Sequence, residues 1–127
     1  QMCFQHDDIL FTHPGVSRTW CNNTGIDVAN IEQSINDEFQ YRIRSFEFTP
    51  GRTFSNVGDD ITQTPIWVRP ASLMRNAVEG FRQVVGHTTM NTLAISPDHQ
   101  FAFIDCIGTS GEYLVVEDGV MTAKQSQ

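Results

Sequence analysis

The sequence is short of positive charge. Lys and Arg total 8 against 15 Asp and Glu, a formal net charge of -7. Nucleic-acid backbones and anionic membrane surfaces are gripped by clustered cations, so neither is an expected partner. A small phosphorylated substrate stays open, because a bound metal would reverse the local charge. Long apolar runs are missing as well: none approaches the roughly 20 residues needed to span a bilayer. Gln5 to Asp8 are polar and then acidic, unlike the apolar stretch of a signal peptide. Cysteine is scarce, with only Cys3, Cys21 and Cys106. An odd number at wide spacing indicates neither a disulfide framework nor a CxxC zinc knuckle, and the expectation is reduced thiols in a cytoplasmic protein.

What the chain does have is enough for a core. Its 127 residues suit one domain, 39% of them are apolar, and nine are Phe. The chain opens Gln1-Met2 rather than on Met, as a processed, engineered or cut N-terminus would.

Ile9-Leu10-Phe11-Thr12 reads as a strand ended by the turn His13-Pro14-Gly15. Val16 to Cys21 suits one helical turn before Asn22-Asn23-Thr24-Gly25 breaks it. Val28, Ile31, Ile35 and Phe39 recur at helical spacing, which predicts a helix from Asp27 to Gln40 with Asp27 as N-cap. Phe46 and Phe48 alternate with polar residues and suggest a brief extended segment, then Gly51 to Pro65 reads as a long polar loop. Pro70 forces Arg69 to be extended, and Ser72 is the expected N-cap of a second helix with Leu73, Ala77 and Phe81 in register. The last third reads as strands: Gln83 to Val85, Thr92 to Ile95, Phe101 to Asp105, and Tyr113 to Val116 turning at Asp118-Gly119 into Val120-Met121. The tail Lys124 to Gln127 is expected to fray. The fold class is α/β, a mixed sheet with about two main helices.

Two histidines stand out by context. His13 follows an apolar strand and precedes Pro-Gly; His87 follows Val84-Val85-Gly86. Both belong at strand ends, where neutral imidazole can ligate a borderline divalent metal, and Gly86 permits a close backbone approach or a strained turn. Two histidines so far apart in sequence are not a metal motif by spacing, and a structural imidazole is the competing reading. Trp67 either flanks a site or packs, with packing favoured. The adjacent pairs Asp7-Asp8, Asp59-Asp60 and Asp37-Glu38 read as solvated surface, and His6 and His99 as exposed.

Four segments together add a family resemblance. "ILFTHPGVSRTW" resembles the Phe-Ser/Thr-His-Ala/Gly-Gly-Val-Ser motif of calcineurin-like metallophosphoesterases, and "QVVGHTT" their Val-Val-Gly-His-Thr motif. "PIWVRP" is similar to the Trp-x-Arg segment between those motifs in bacterial members related to serine/threonine phosphatases. "FIDCIGTSGEYLVVEDG" resembles the closing strands. The resemblance implies the C-terminal half of a metallophosphoesterase α/β sandwich. It implies that His13 and His87 are ligands of one metal of a divalent pair (Mn, Fe, Ni or Zn), and that Arg69 contacts the substrate phosphate. Asp105 falls in the closing motif as a structural, turn-capping carboxylate. Thr89 stands where many relatives carry another His, as in the serine/threonine-phosphatase-like branch. Cys106 stands where Thr is common and reads as a small buried filler.

The family also uses Asp-x-His, Gly-Asp-x-x-Asp and Gly-Asn-His-Asp/Glu, all before the strand that carries His13. None occurs here, and only eight residues precede Ile9. The expectation is therefore a single partial domain over 1-127, with a partial or absent metal site and no complete catalytic set. It would be inactive alone and active on a phosphorylated substrate if joined by an N-terminal half. The alternatives are a non-catalytic interaction domain of the same descent, with homodimerisation through exposed strand edges, and an unrelated small α+β binding module.

Overall fold

Alternating apolar strands and short helices set up a five-stranded mixed sheet with helices on one face and a hairpin on the other. The computed structural model describes residues 1–48 and 59–126. Strands β1 (Cys3–His6), β2 (Ile9–Thr12), β3 (Arg82–Val85), β4 (Ala94–Ile95) and β5 (Phe101–Phe103) lie in the order β1-β2-β3-β5-β4. The central three run parallel, and the edge strands pair antiparallel. Strands β6 (Glu112–Glu117) and β7 (Val120–Gln125) form a separate two-stranded hairpin.

The pleat sorts the side chains. Leu10, paired with Gln83, and Val85 with Phe101 and Phe103 face the helices. Ile9, Val84 and Ala102 face the hairpin and bury against Met121, with Phe11, Ile95, Leu114 and Val116 around them. The hairpin leaves the β1–β2 end of this face open: Phe4 is 51% exposed and lies tilted against Phe11 at 5.7 Å between centroids. Arg82 ties the hairpin to the sheet, donating to the Gly119 carbonyl and to both carboxylate oxygens of Asp8, at 2.8 and 2.7 Å.

Helix α1 (Arg18–Thr24) is capped by the Ser17 hydroxyl, which accepts from the Trp20 amide, and stops at Gly25 with φ 77°. Asp27 caps a 3₁₀ turn, Val28–Asn30, that leads into α2 (Ile31–Tyr41). Ile31 and Ile35 are buried as the stripe predicts, while Val28 is partly exposed.

Several local expectations fail for physical reasons. Helix α3 (Pro70–Arg75) starts earlier and ends sooner than its apolar spacing suggests. Proline is favourable at the first helical position, so Arg69 rather than Ser72 is the cap residue. The helix stops because the next residues pair elsewhere. Asn76 accepts from the Arg18 and Thr19 amides, Ala77 bridges Ser17, and Val78 donates to the Val16 carbonyl. Ile43–Phe46 is a 3₁₀ turn, not a strand, because Phe46 is drawn into the core between Trp20 and Phe39, each 5.2 Å away. The edge strand β1 gives a weak apolar signal and is held by Asn36, which accepts from the Met2 and Cys3 amides. The tail pairs as far as Gln125 instead of fraying. Besides Asp8, three carboxylates read as surface are engaged. Asp60 is buried and accepts from Thr62, Glu38 is buried and accepts from Arg42 and Ser45, and Asp59 accepts from Ser72. The loop expected over 51–65 lies largely outside the described residues.

Cys3, Cys21 and Cys106 are free thiols, all buried. Burial pushes the Cys3 and Cys21 thiols up to about 12, so both are inert. Among the described residues no helix is long and apolar enough to cross a membrane.

Candidate functional site

Parallel pairing gathers the chemistry at one edge of the sheet. β2 and β3 are parallel neighbours with Thr12 opposite Val85, so the residues that follow each strand leave side by side. In open α/β sheets ligands gather outside the carboxyl ends of the strands. His13 emerges from β2, Gly86 and His87 from β3, and Asp105 from just beyond β5.

The two distant histidines meet. His13 Nε2 and His87 Nδ1 are 2.9 Å apart, and the rings cross edge-on with centroids 4.7 Å apart. As neutral rings, one nitrogen donates and the other accepts; both rings cannot be protonated at that distance without repulsion. Burial first, then the charges of His13 and Arg69, hold His87 below the usual imidazole range, against the opposing pull of Asp105. The neutral, ligating form is therefore favoured. The other ring nitrogen of His87, Nε2, is buried with no hydrogen-bond partner, as is Thr12 Oγ1.

The backbone around His87 is strained. The Thr88 amide donates to the Gly86 carbonyl at 2.7 Å and His87 has φ 67°. A bond across three residues with positive φ at the centre is the rare, strained γ-turn. Of the two expectations for Gly86, a close backbone approach or a strained turn, the positive φ of the turn falls on its neighbour His87. What Gly86 does is donate to the His13 carbonyl at 2.6 Å, which locks the two turns together. Strain on a non-glycine residue persists where the surroundings over-determine it, often at functional positions.

The His13 turn is fixed from behind by residues that motif reading passes over. Gln83 is fully buried and grips Val16 from both sides: its Oε1 accepts from the Val16 amide at 2.8 Å and its Nε2 donates to the Val16 carbonyl at 3.0 Å. A polar residue inside an apolar strand was the available signal. Gly15 has φ 113° and sits against Leu73 of α3, where a Cβ would meet Cδ1 at 2.8 Å and Cγ at 3.1 Å.

Arg69 reaches the same region. Its guanidinium donates to Thr88 Oγ1 at 3.1 Å and acts on the charge of His87. Trp67 neither packs inside nor stands apart. It is 37% exposed and lies edge-on between Phe48, at 5.5 Å, and His87, at 6.2 Å. Asp105 is half-buried, its carbonyl accepting from the Met90 amide at 2.7 Å. Cys106 is buried and donates to the Glu112 carbonyl. His6 and His99 are exposed. Among the described residues no group of three or more His, Cys, Asp or Glu is placed to hold a metal ion.

No family model matches the chain, and no curated protein matches it. Solved structures do. The chain resembles a cold-active protein-tyrosine phosphatase of the psychrophile Shewanella sp., with TM-score 0.56 and 20% identity over 96% of this chain. It also resembles a point mutant of a cold-active protein tyrosine phosphatase, with TM-score 0.51 and 19% identity. At such identity the likeness is one of fold: the chain has an α/β fold shared with phosphatase structures. It spans 39% of the length of each of these two chains.

Proposed function

We propose that the chain is the C-terminal part of a metal-dependent phosphoesterase of the calcineurin-like type. In this reading His13 and His87 are ligands of one divalent ion (Mn, Fe, Ni or Zn) and Arg69 contacts the phosphate of the substrate. The single observation that carries the reading is the 2.9 Å separation of His13 Nε2 and His87 Nδ1. Two nitrogens bound cis to one octahedral ion, with bonds of about 2.1 Å, lie about 3.0 Å apart, whereas the tetrahedral angle usual for zinc sets them about 3.4 Å apart. The depressed pKa of His87 supports the same assignment, because only neutral imidazole ligates.

The donor set is half of a coordination sphere. Two neutral nitrogens leave the charge of a divalent ion unbalanced, and carboxylate ligands would have to come from further polypeptide. When bound, the metal centre would supply Lewis acidity and an activated water for phosphate-ester hydrolysis. The chain's own residues do the rest. His13 and His87 hold two ring nitrogens at a fixed separation, Arg69 offers a planar cation to a phosphate, and the Gly86–His13 bond keeps both turns in register. Asp105 favours a charged His87, a modest opposing influence on the pair.

The open β1–β2 end of the sheet supports an incomplete unit. Phe11, Val84 and Ile104 line a cavity of about 410 Å³ beside His13, together with Met2. An N-terminal half seated there would bring its carboxylates to the same edge. A second reading rests on that same apolar surface: a non-catalytic domain that dimerises through it, with Phe4 and Tyr113 exposed by 51% and 46%. Hydrolysis of phenyl phosphate with Mn²⁺ separates the two. The expected result is no turnover by this chain alone, and turnover once the polypeptide encoded immediately upstream is joined to it. That activity disappears in His13→Ala and His87→Ala. Turnover by the chain alone overturns its incompleteness, and turnover that survives both substitutions overturns the site. A metal-free dimer, inert in either form, supports the second reading.

A further inference from the structure

Four rings stand in a row at the sheet edge. Phe48, Trp67, His87 and His13 follow one another edge-to-face, at centroid separations of 5.5, 6.2 and 4.7 Å. The inner two are the polar end. The outer two are not core residues. Phe48 is 36% exposed and Trp67 is 37% exposed, whereas Trp20 is buried at 3% and donates its indole N–H to the Ser45 carbonyl. Beneath Trp67 the neighbouring Val68 is fully buried beside Leu73. The segment thus anchors itself by Val68 and turns the indole outward. Arg69, two residues on, brings its guanidinium to Thr88 next to His87. A guanidinium and a half-exposed aromatic wall therefore flank the same pair of imidazoles.

We propose that Trp67 and Phe48 form a subsite for the aromatic leaving group of the substrate, so that the esters taken at this edge are aryl phosphates rather than alkyl phosphates. The proposal rests on the phosphoesterase reading. With the phosphate taken by Arg69 beside the histidines, a ring on its ester oxygen has Trp67 within reach, since Trp67 stands edge-on to His87 at 6.2 Å. Aromatic pairs favour offset or edge-to-face contact over an alkyl group of similar size. One such pair raises affinity roughly three- to tenfold beyond area alone. Trp67 gives the larger face and Phe48 closes the outer end.

Backbone and indole NMR titrations of the 127-residue chain test this directly. The probes are inorganic phosphate, methyl phosphate and phenyl phosphate, and the indole N–H of Trp67 is read separately from that of Trp20. All three ligands are expected to shift the amides of Arg69 and Thr88. Phenyl phosphate alone should shift the Trp67 indole, and it should bind at least about three- to tenfold more tightly than methyl phosphate, a floor set by the aromatic contact before the larger buried area adds to it. Trp67→Leu combined with Phe48→Ala lowers the ratio of phenyl to methyl phosphate affinity by about three- to tenfold. If that pair fails to fold, Phe48→Ala alone, at an exposed position, should lower the ratio while Trp67→Phe retains part of it. Equal affinities for phenyl and methyl phosphate, with Arg69 shifting in both, overturn the aromatic subsite and leave the phosphate site standing. No response of Arg69 or Thr88 to any phosphate overturns both.

Discussion

Replacing His87 by Ala and by Gly separates the ring from the backbone strain it sits on. With φ 67° at the centre of a γ-turn, a side chain at this position costs about 1–2 kcal/mol relative to the right-handed regions. Glycine escapes that cost but loses about 0.5–1 kcal/mol more backbone freedom on folding. The net expectation is that His87→Gly is about 0.5–1 kcal/mol more stable than His87→Ala. Either substitution also removes the buried, unpartnered Nε2, whose desolvation costs about 1–3 kcal/mol, and forfeits the ring contacts to His13 and Trp67. His87→Gly should therefore match or exceed the parent chain in stability. Urea unfolding followed by fluorescence resolves the difference: with a slope of about 2 kcal/mol/M, the two variants separate by about 0.25–0.5 M. If His87→Ala is as stable as His87→Gly, residue 87 is not held in the left-handed region and the strain argument fails. If both fall several kcal/mol below the parent, the imidazole is a structural residue and its place at a functional edge is incidental.

Gly15→Ala should destabilise the chain by on the order of 2–4 kcal/mol, because φ is 113° and the new Cβ meets the fully buried Leu73; a loss below about 1 kcal/mol in the same urea assay contradicts the packing of the His13 turn on α3. Stability should also depend on pH through His87. The folded ring resists protonation, whereas the unfolded ring takes its proton near about 6.5, so the contribution is complete above that value and declines as pH falls below it toward the folded pKa. Urea midpoints measured from about pH 8 down to about pH 5 should fall less steeply in His87→Gln than in the parent chain, and equal slopes refute the depressed pKa.

The elements with strong periodicity were legible in the sequence. The β2 and β3 strands, the α2 stripe and the Asp118-Gly119 hairpin each announce themselves by alternation or turn chemistry. Placing His13 and His87 together needed more than spacing, since only parallel pairing of β2 with β3 aligns their carboxyl ends. What stayed hidden depends on long-range polar contacts that leave no local pattern. Asn36 holds β1 from 33 residues away, and Gln83 clamps Val16 across 67. Asn76 and Ala77 end α3 by bonding to the α1 entry. Phe48 carries no motif, and only the fold sets it in line with Trp67 and His87.

The pairing of the two imidazoles as a half-site for a divalent ion is tested most directly by titrating the chain, labelled with ¹⁵N at histidine, with Zn²⁺. The expected response is a saturable shift of His13 Nε2 and His87 Nδ1 with a single ion per chain, weak because only two ligands are present, while the exposed His6 and His99 respond less. His13→Ala or His87→Ala should abolish it. Uniform shifts of all four histidines, or a response that survives loss of either ring, would mean that the two nitrogens share a hydrogen bond and no metal.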